Sequence, residues 1–140
     1  MRKYACALVL AAILLTACSA GSAESGIEVH QFKMDAAAQG KNSAVYLAMN
    51  NHDSETDELI GASSDAAEAV QLQNGIQVVD VIPVYANTEF VFIPDGYHVM
   101  LMGLKQELHV GDEIEVVLLF RDHEDITISV PVAEATDHGH

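Results

Sequence analysis

Hydrophobic and polar residues alternate along much of the chain, and this period of two is typical of β-strands. In Ser43–Asn51 ("SAVYLAMNN"), Val45, Leu47 and Met49 fall on one face. Similar stretches follow, separated by turn sequences such as Asn74-Gly75, at residues 57–64, 69–73, 76–84, 88–93, 97–102, 113–120 and 125–132. Only the sequence "DAAEA", residues 65–69, has a briefly helical pattern. The chain is therefore predicted to form one all-β domain, an antiparallel β-sandwich or a small barrel.

The first residues have the layout of a bacterial secretory signal, in which basic residues precede an apolar run that ends in small residues. The run is shorter than the roughly 20 apolar residues that a transmembrane helix needs. Its end, "LTAC", resembles a lipoprotein signal box with Cys18 as the lipidated first mature residue; ordinary cleavage after Ala17 or Ala20 is the alternative. We predict a signal peptide over residues 1–17, a flexible tether over residues 18–26, and an exported protein held at the membrane surface, facing the periplasm or the cell exterior.

The cysteine count narrows the chemistry of the remaining domain, residues 27–132. Cys6 leaves with the signal and Cys18 would carry lipid, so no cysteine remains in the folded part. A disulfide framework, a cysteine-rich zinc site, a thiol nucleophile and an iron–sulfur cluster are therefore excluded. Any site for a soft metal must be built from methionine and histidine.

Charge and motif content argue against two further classes of function. The whole chain has 6 basic and 21 acidic residues, and removal of a signal with two basic residues takes the net charge from −15 to −17. Nucleic acid is not an expected partner, because phosphate binding requires clustered Lys and Arg. No catalytic triad, paired-carboxylate arrangement or phosphate-binding glycine loop stands out, so we do not expect an enzyme.

Residues 96–103, "GYHVMLMG", carry the candidate chemistry. On a strand, His98, Met100 and Met102 point to one face, and residues two apart lie roughly 6–7 Å from each other. One metal ion can be reached by both side chains over that distance, and Cu(I) prefers thioether and imidazole ligands. Methionine also fills gaps in ordinary cores, so the spacing alone fits a buried strand equally.

The sequence resembles the bacterial copper chaperones of the PCuAC type. The resemblance is carried by residues 44–72, "AVYLAMNNHDSETDELIGASSDAAEAVQL", and by residues 94–120, "PDGYHVMLMGLKQELHVGDEIEVVLLF". It implies a cupredoxin-like β-sandwich that binds Cu(I) through His98 and Met100; Met102 matches a family position that is not generally counted as a ligand. It also implies a role in supplying copper to the CuA site of cytochrome c oxidase, with subunit II or another copper assembly factor as the partner.

Half of the ligand set that the resemblance implies is absent. The family has a histidine just after the strand corresponding to "AVQL", where this chain has Gln73, and a methionine before the proline corresponding to Pro83, where it has Val81. Three hypotheses account for this difference. In the first, the site has been lost and the fold serves as a copper-free adaptor; in the second, a second copy of the chain completes the site. In the third, other residues replace the missing ligands, with Met34, Met49, His30 or the tail as candidates.

The tail, residues 133–140, adds His138 and His140 beside Asp137. Mobile imidazoles next to a carboxylate suit Cu(II), zinc or nickel better than Cu(I), and a hydrated chain end is the alternative. The other histidines are predicted to be surface residues: His30, His52, His109 and His123.

Overall fold

In the computed structural model, which describes residues 26–134, the chain forms ten β-strands and no helix. This part of the chain therefore has no helix that could cross a membrane. The strands are, in chain order, β1 (Ile27–Asp35), β2 (Ser43–Asn51), β3 (Asp57–Ser63), β4 (Ala67–Asn74), β5 (Gln77–Val79), β6 (Ile82–Val84), β7 (Thr88–Val91), β8 (Tyr97–Leu104), β9 (Glu113–Phe120) and β10 (Ile126–Ala133).

The strands form two layers that pack face to face. The first layer has the order β5-β4-β8-β2-β1, with β7 pairing the second half of β2, and the other layer has the order β10-β9-β3-β6. The layers are linked by one parallel pairing, in which Met34 and Asp35 of β1 lie opposite Val132 and Ala133 of β10. The other pairings among these strands are antiparallel. The predicted all-β, cupredoxin-like sandwich is confirmed.

The core lies between the layers, and the strands β9 and β10 contribute every second residue to it. On β8, Val99 and Leu101 are fully buried, and Val116 and Leu118 of β9, in the other layer, belong to the same hydrophobic core. Because successive side chains of a strand point to opposite faces, His98, Met100 and Met102 must point to the outer face of the layer. The inner face of β8 thus fixes the outer face on which the metal-ligand candidates lie.

Two predicted elements differ from those observed. The residues expected to be briefly helical, 65–69, form a turn that leads into β4 at Ala67, since so short a helix has no layer to pack against. The single strand expected over residues 76–84 is two strands, β5 and β6, which belong to opposite layers. The chain crosses between the layers at Asp80 and Val81, which the hydrophobic pattern alone did not show.

Strand β1 was not predicted, and its backbone explains why. Gln31 has a φ of 53°, and the register with β2 shifts between His30 and Lys33, as in a β-bulge. The bulge interrupts the alternation of polar and hydrophobic residues on which the prediction of strands depended. The pairing with β10 nevertheless makes β1 the link between the two layers.

We predict that Leu101→Ala lowers the free energy of unfolding by about 2–5 kcal/mol, since it leaves a cavity in the core behind the strand of the candidate ligands. Urea unfolding of the purified domain measures this change. Ile76→Ala is the matched control, because Ile76 is 96% exposed and should change the free energy by less than about 0.5 kcal/mol. Equal effects of the two substitutions would contradict the assignment of faces on β8.

Candidate metal site

The candidate ligands lie in the middle of the outer face of the first layer. His98 is directly opposite Gln73 of β4, and Met100 is directly opposite Gln71 of β4 and Ala44 of β2. Directly opposed residues of antiparallel strands project to the same face. The imidazole and the thioether therefore share one surface with two carboxamides.

The ring of His98 is only 3% exposed, and both of its nitrogens have partners. Nδ1 lies 3.0 Å from the carbonyl oxygen of Gly96. A carbonyl oxygen only accepts, so Nδ1 carries the proton and the lone pair of the neutral ring is at Nε2. Nε2 lies 3.1 Å from Oε1 of Gln73, and a half-turn of the carboxamide brings its NH2 group, a donor of nearly the same shape, to the same place. The turn at Gly96 thus orients Nε2 as the atom that is able to bind a metal.

Tyr46 flanks His98 on the β2 side, with the ring centroids 6.0 Å apart. Burial, together with the carboxylates of Asp35 and Asp95, raises the pKa of Tyr46, so its hydroxyl keeps its proton at neutral pH. His98 is therefore held between two neutral side chains, Tyr46 on one strand and Gln73 on the other.

The donor set fits a soft metal and not a hard one. Within residues 26–134, no three His, Cys, Asp or Glu side chains are arranged to hold a metal ion. An imidazole beside a thioether, with no carboxylate among the opposed residues of this face, matches the preference of Cu(I). Met102 follows on the same face, opposite Ala69, one pair further along the strands.

The other candidates for the missing ligands are placed elsewhere. Met34 and Met49 are fully buried in the core, and His30 pairs with Glu89 at 3.2 Å. Val81 lies in the connection between the layers. The predictions for Cys18, the signal and tether before Gly26, and His138 and His140 of the tail fall outside the described residues.

His123 forms a second polar cluster that the sequence did not reveal. It was predicted to be a surface residue, but Nδ1 lies 2.6 Å from Asp57 and Nε2 lies 2.5 Å from Asp53. Asp57 is itself only 2% exposed and also accepts hydrogen bonds from the backbone N–H groups of Glu58 and Asp122. The cluster joins residues 66 and 70 positions apart, so no local pattern could have indicated it.

The cluster sets the ionisation of its members. Burial opposes the ionisation of Asp57, but the hydrogen bonds from His123 and from two backbone N–H groups outweigh it and lower the pKa of Asp57. The backbone N–H of Gly26 and then His123 lower the pKa of Asp53. The hydrogen bonds to Asp57 and Asp53 raise the pKa of His123 despite its partial burial. His123 is thus stabilised as a cation between two carboxylates.

The chain is similar to "Putative lipoprotein Lxx21020" of Leifsonia xyli subsp. xyli, with 32% identity over an alignment of 123 residues. The alignment covers 81% of this chain and 74% of that protein. It is similar to the copper-bound PCuAC domain from PmoF2, with 24% identity, a TM-score of 0.72, and coverage of 79% of this chain and 94% of that one. It is also similar to CuI-DR1885 from Deinococcus radiodurans, with 25% identity, a TM-score of 0.67 and coverage of 86% and 87%.

These likenesses place the fold among PCuAC domains, with the cupredoxin-like sandwich that the sequence implied. The expected relationship to the PCuAC type, as a divergent member, is confirmed. A family model described as "Putative lipoprotein LpqE-like" matches residues 27–132, the whole of the predicted domain. The chain belongs to this LpqE-like family.

We predict that the stability of the domain falls between pH 5 and pH 8 because of His123. Its pKa is raised on folding, so its contribution is complete below its ordinary value of about 6.5 and is lost as pH rises through the raised pKa. The two aspartates, whose pKa values are lowered, contribute above about pH 3.8, and this part is lost only in more acidic solution.

Thermal unfolding of the parent and of His123→Gln at pH 5 and pH 8 measures this effect. The drop in melting temperature from pH 5 to pH 8 should be smaller in His123→Gln. His109→Gln is the control, since His109 lies on the surface beside Glu107 and Asp112 and its replacement should leave the drop unchanged. Equal drops in the parent and His123→Gln would show that the cluster is not the source.

Proposed function

We propose that this protein binds Cu(I) through Nε2 of His98 and the sulfur of Met100, and that it serves as a copper carrier outside the cytoplasm. The observation that carries this proposal is the bond from Nδ1 of His98 to the carbonyl of Gly96, which leaves the Nε2 lone pair on the same face as Met100. The similarity to a copper-bound PCuAC domain and to CuI-DR1885 supports it.

A two-donor site suits a carrier better than a store. Cu(I) is soft and binds imidazole and thioether ligands well. Thioethers also form no disulfides in compartments where thiols would. Two protein ligands hold the ion less tightly than four. A ligand of the receiving protein is therefore able to bind the copper before it dissociates from the donor. We propose the CuA site of cytochrome c oxidase subunit II, or an assembly factor that serves it, as the recipient.

We further propose that the carrier is anchored by lipid at Cys18 and faces the periplasm or the cell exterior. Membership of a family of lipoproteins, and the name of the Leifsonia relative, support a membrane anchor. A tether over residues 18–26 would leave the sandwich in water while keeping it close to copper proteins of the membrane.

The second candidate function is a copper-free interaction module with the same fold. The carboxamide of Gln73 favours it, because this neutral group satisfies Nε2 of His98 without any metal. This alternative differs from a carrier in having no sub-micromolar affinity for Cu(I), so the same titration separates the two functions.

We predict that the parent binds about one equivalent of Cu(I) and that His98→Ala with Met100→Leu weakens binding by at least about 100-fold. Replacing even a residue that supports a metal ligand commonly costs 10- to 100-fold, so the loss of both ligands must cost more. Anaerobic competition against a chromogenic Cu(I) chelator measures the affinity.

His109→Ala is the matched control for the lost imidazole, and Met102→Leu is the control for the lost thioether. Both should bind Cu(I) as the parent does, since His109 is at the surface beside Glu107 and Met102 is two same-face pairs removed from His98. A double variant that binds as tightly as the parent would rule out His98 and Met100 as the ligands.

The tail is proposed as a separate, weaker site for Cu(II) or zinc at His138 and His140. Truncation after Glu134 leaves β10, which ends at Ala133, intact. We predict that this truncation removes Cu(II) and zinc binding and leaves the Cu(I) affinity unchanged, as measured by titration calorimetry and by chelator competition. A simultaneous loss of Cu(I) binding would instead place a tail residue in the Cu(I) site.

A further inference from the structure

Two glutamines lie alongside the His98–Met100 pair, residue for residue. Gln73 is directly opposite His98, and Gln71 is directly opposite Met100. The two carboxamides are joined by a hydrogen bond of 3.1 Å from Nε2 of Gln73 to Oε1 of Gln71. A bridge of neutral amides therefore runs parallel to the two proposed copper ligands, on the neighbouring strand and on the same face.

The bridge ends on the ring nitrogen that copper would need. Oε1 of Gln73 lies 3.1 Å from Nε2 of His98. With Nδ1 protonated toward Gly96, Nε2 of the neutral ring accepts, so a hydrogen bond there requires the NH2 group of Gln73 in place of that oxygen. The oxygen and nitrogen of a carboxamide have nearly the same shape, and a half-turn of both glutamines gives one continuous chain of donors from Gln71 through Gln73 to His98.

We propose that Gln73, held by Gln71, is a latch that competes with Cu(I) for Nε2 of His98. This inference rests on the proposed function, because it assigns a role to Gln73 in copper exchange at the same site. Copper entry breaks one hydrogen bond and turns the Gln73 side chain aside. Copper release is assisted by the return of the carboxamide to Nε2, which spares a nearly buried lone pair from being left without a partner.

Gln73 acts against copper rather than as a third ligand. Its side chain offers oxygen and nitrogen of a neutral amide, which are hard donors, whereas Cu(I) binds imidazole and thioether. The latch is also able to open, because Gln73 is only partly buried near the end of β4, next to the short edge strand β5. His98 by contrast is held by Gly96 and by the Tyr46 ring.

The test compares Cu(I) affinity and loading rate in Gln73→Ala, Gln71→Ala and the parent. Gln73→Ala should bind Cu(I) about fivefold more tightly, the equivalent of one ordinary intramolecular hydrogen bond, and should load faster. Gln71→Ala should show a smaller gain in the same direction. Gln77→Ala, at an exposed position of β5, removes the same chemical group away from His98 and should match the parent. Gln73→Ser provides a second replacement should Gln73→Ala fold poorly.

A second measurement needs no copper. In the metal-free protein, the 15N resonance of His98 Nε2 should shift in Gln73→Ala, while the Nδ1–H signal bonded to Gly96 persists. A residue with a merely structural role would lower Cu(I) affinity when replaced and would not act selectively on Nε2. An unchanged Nε2 resonance, or a Cu(I) affinity in Gln73→Ala that is equal to or below that of the parent, overturns the latch. Absence of Cu(I) binding in the parent and in every variant instead overturns the proposed function.

Discussion

The strict alternation of side chains along β8 is the constraint on which the rest of the site depends. Val99 and Leu101 are fully buried between the two layers, so the backbone has one register in which the core is filled. That register places His98 and Met100 on the outer face, opposite Gln73 and Gln71 of β4. A shift by one residue would bury the imidazole and thioether in the core and expose the two aliphatic residues, at a cost of several kcal/mol. The hydrophobic core therefore holds the candidate ligands together, even though it makes no contact with a metal.

The same alternation of side chains determines which strands the sequence could predict. Strands with clean alternation, such as β2 and β9, were predicted with their observed bounds, and the common face of His98 and Met100 followed from the period of two. Strand β1 was missed because a bulge at Gln31 breaks that period. The cluster around His123 was missed because its carboxylates come from a distant loop and strand, and only the folded chain brings them together.

Two histidines of this domain show how partners determine chemistry. His123 has a carboxylate at each nitrogen, which favours the charged ring and makes it part of the framework that ties β3 to the loop before β10. His98 has a carbonyl at one nitrogen and a carboxamide at the other, and neither partner carries charge. The first arrangement leaves no lone pair for a metal. In the second arrangement a lone pair remains, and a neutral group that can be displaced protects it.

No carboxylate occurs among the residues directly opposite His98 and Met100, although the chain as a whole is strongly acidic. With 21 acidic residues, the surface offers many oxygen ligands to hard cations. Yet the opposed residues of β4, β8 and β2 around the site are amides, thioethers, an imidazole, a phenol and alanines. Selection for a soft ion here cannot come from the overall field, which attracts every cation alike. Any such preference would come from the donors themselves, and a neutral amide at Gln73 is compatible with it because it attracts hard cations far less than a carboxylate would.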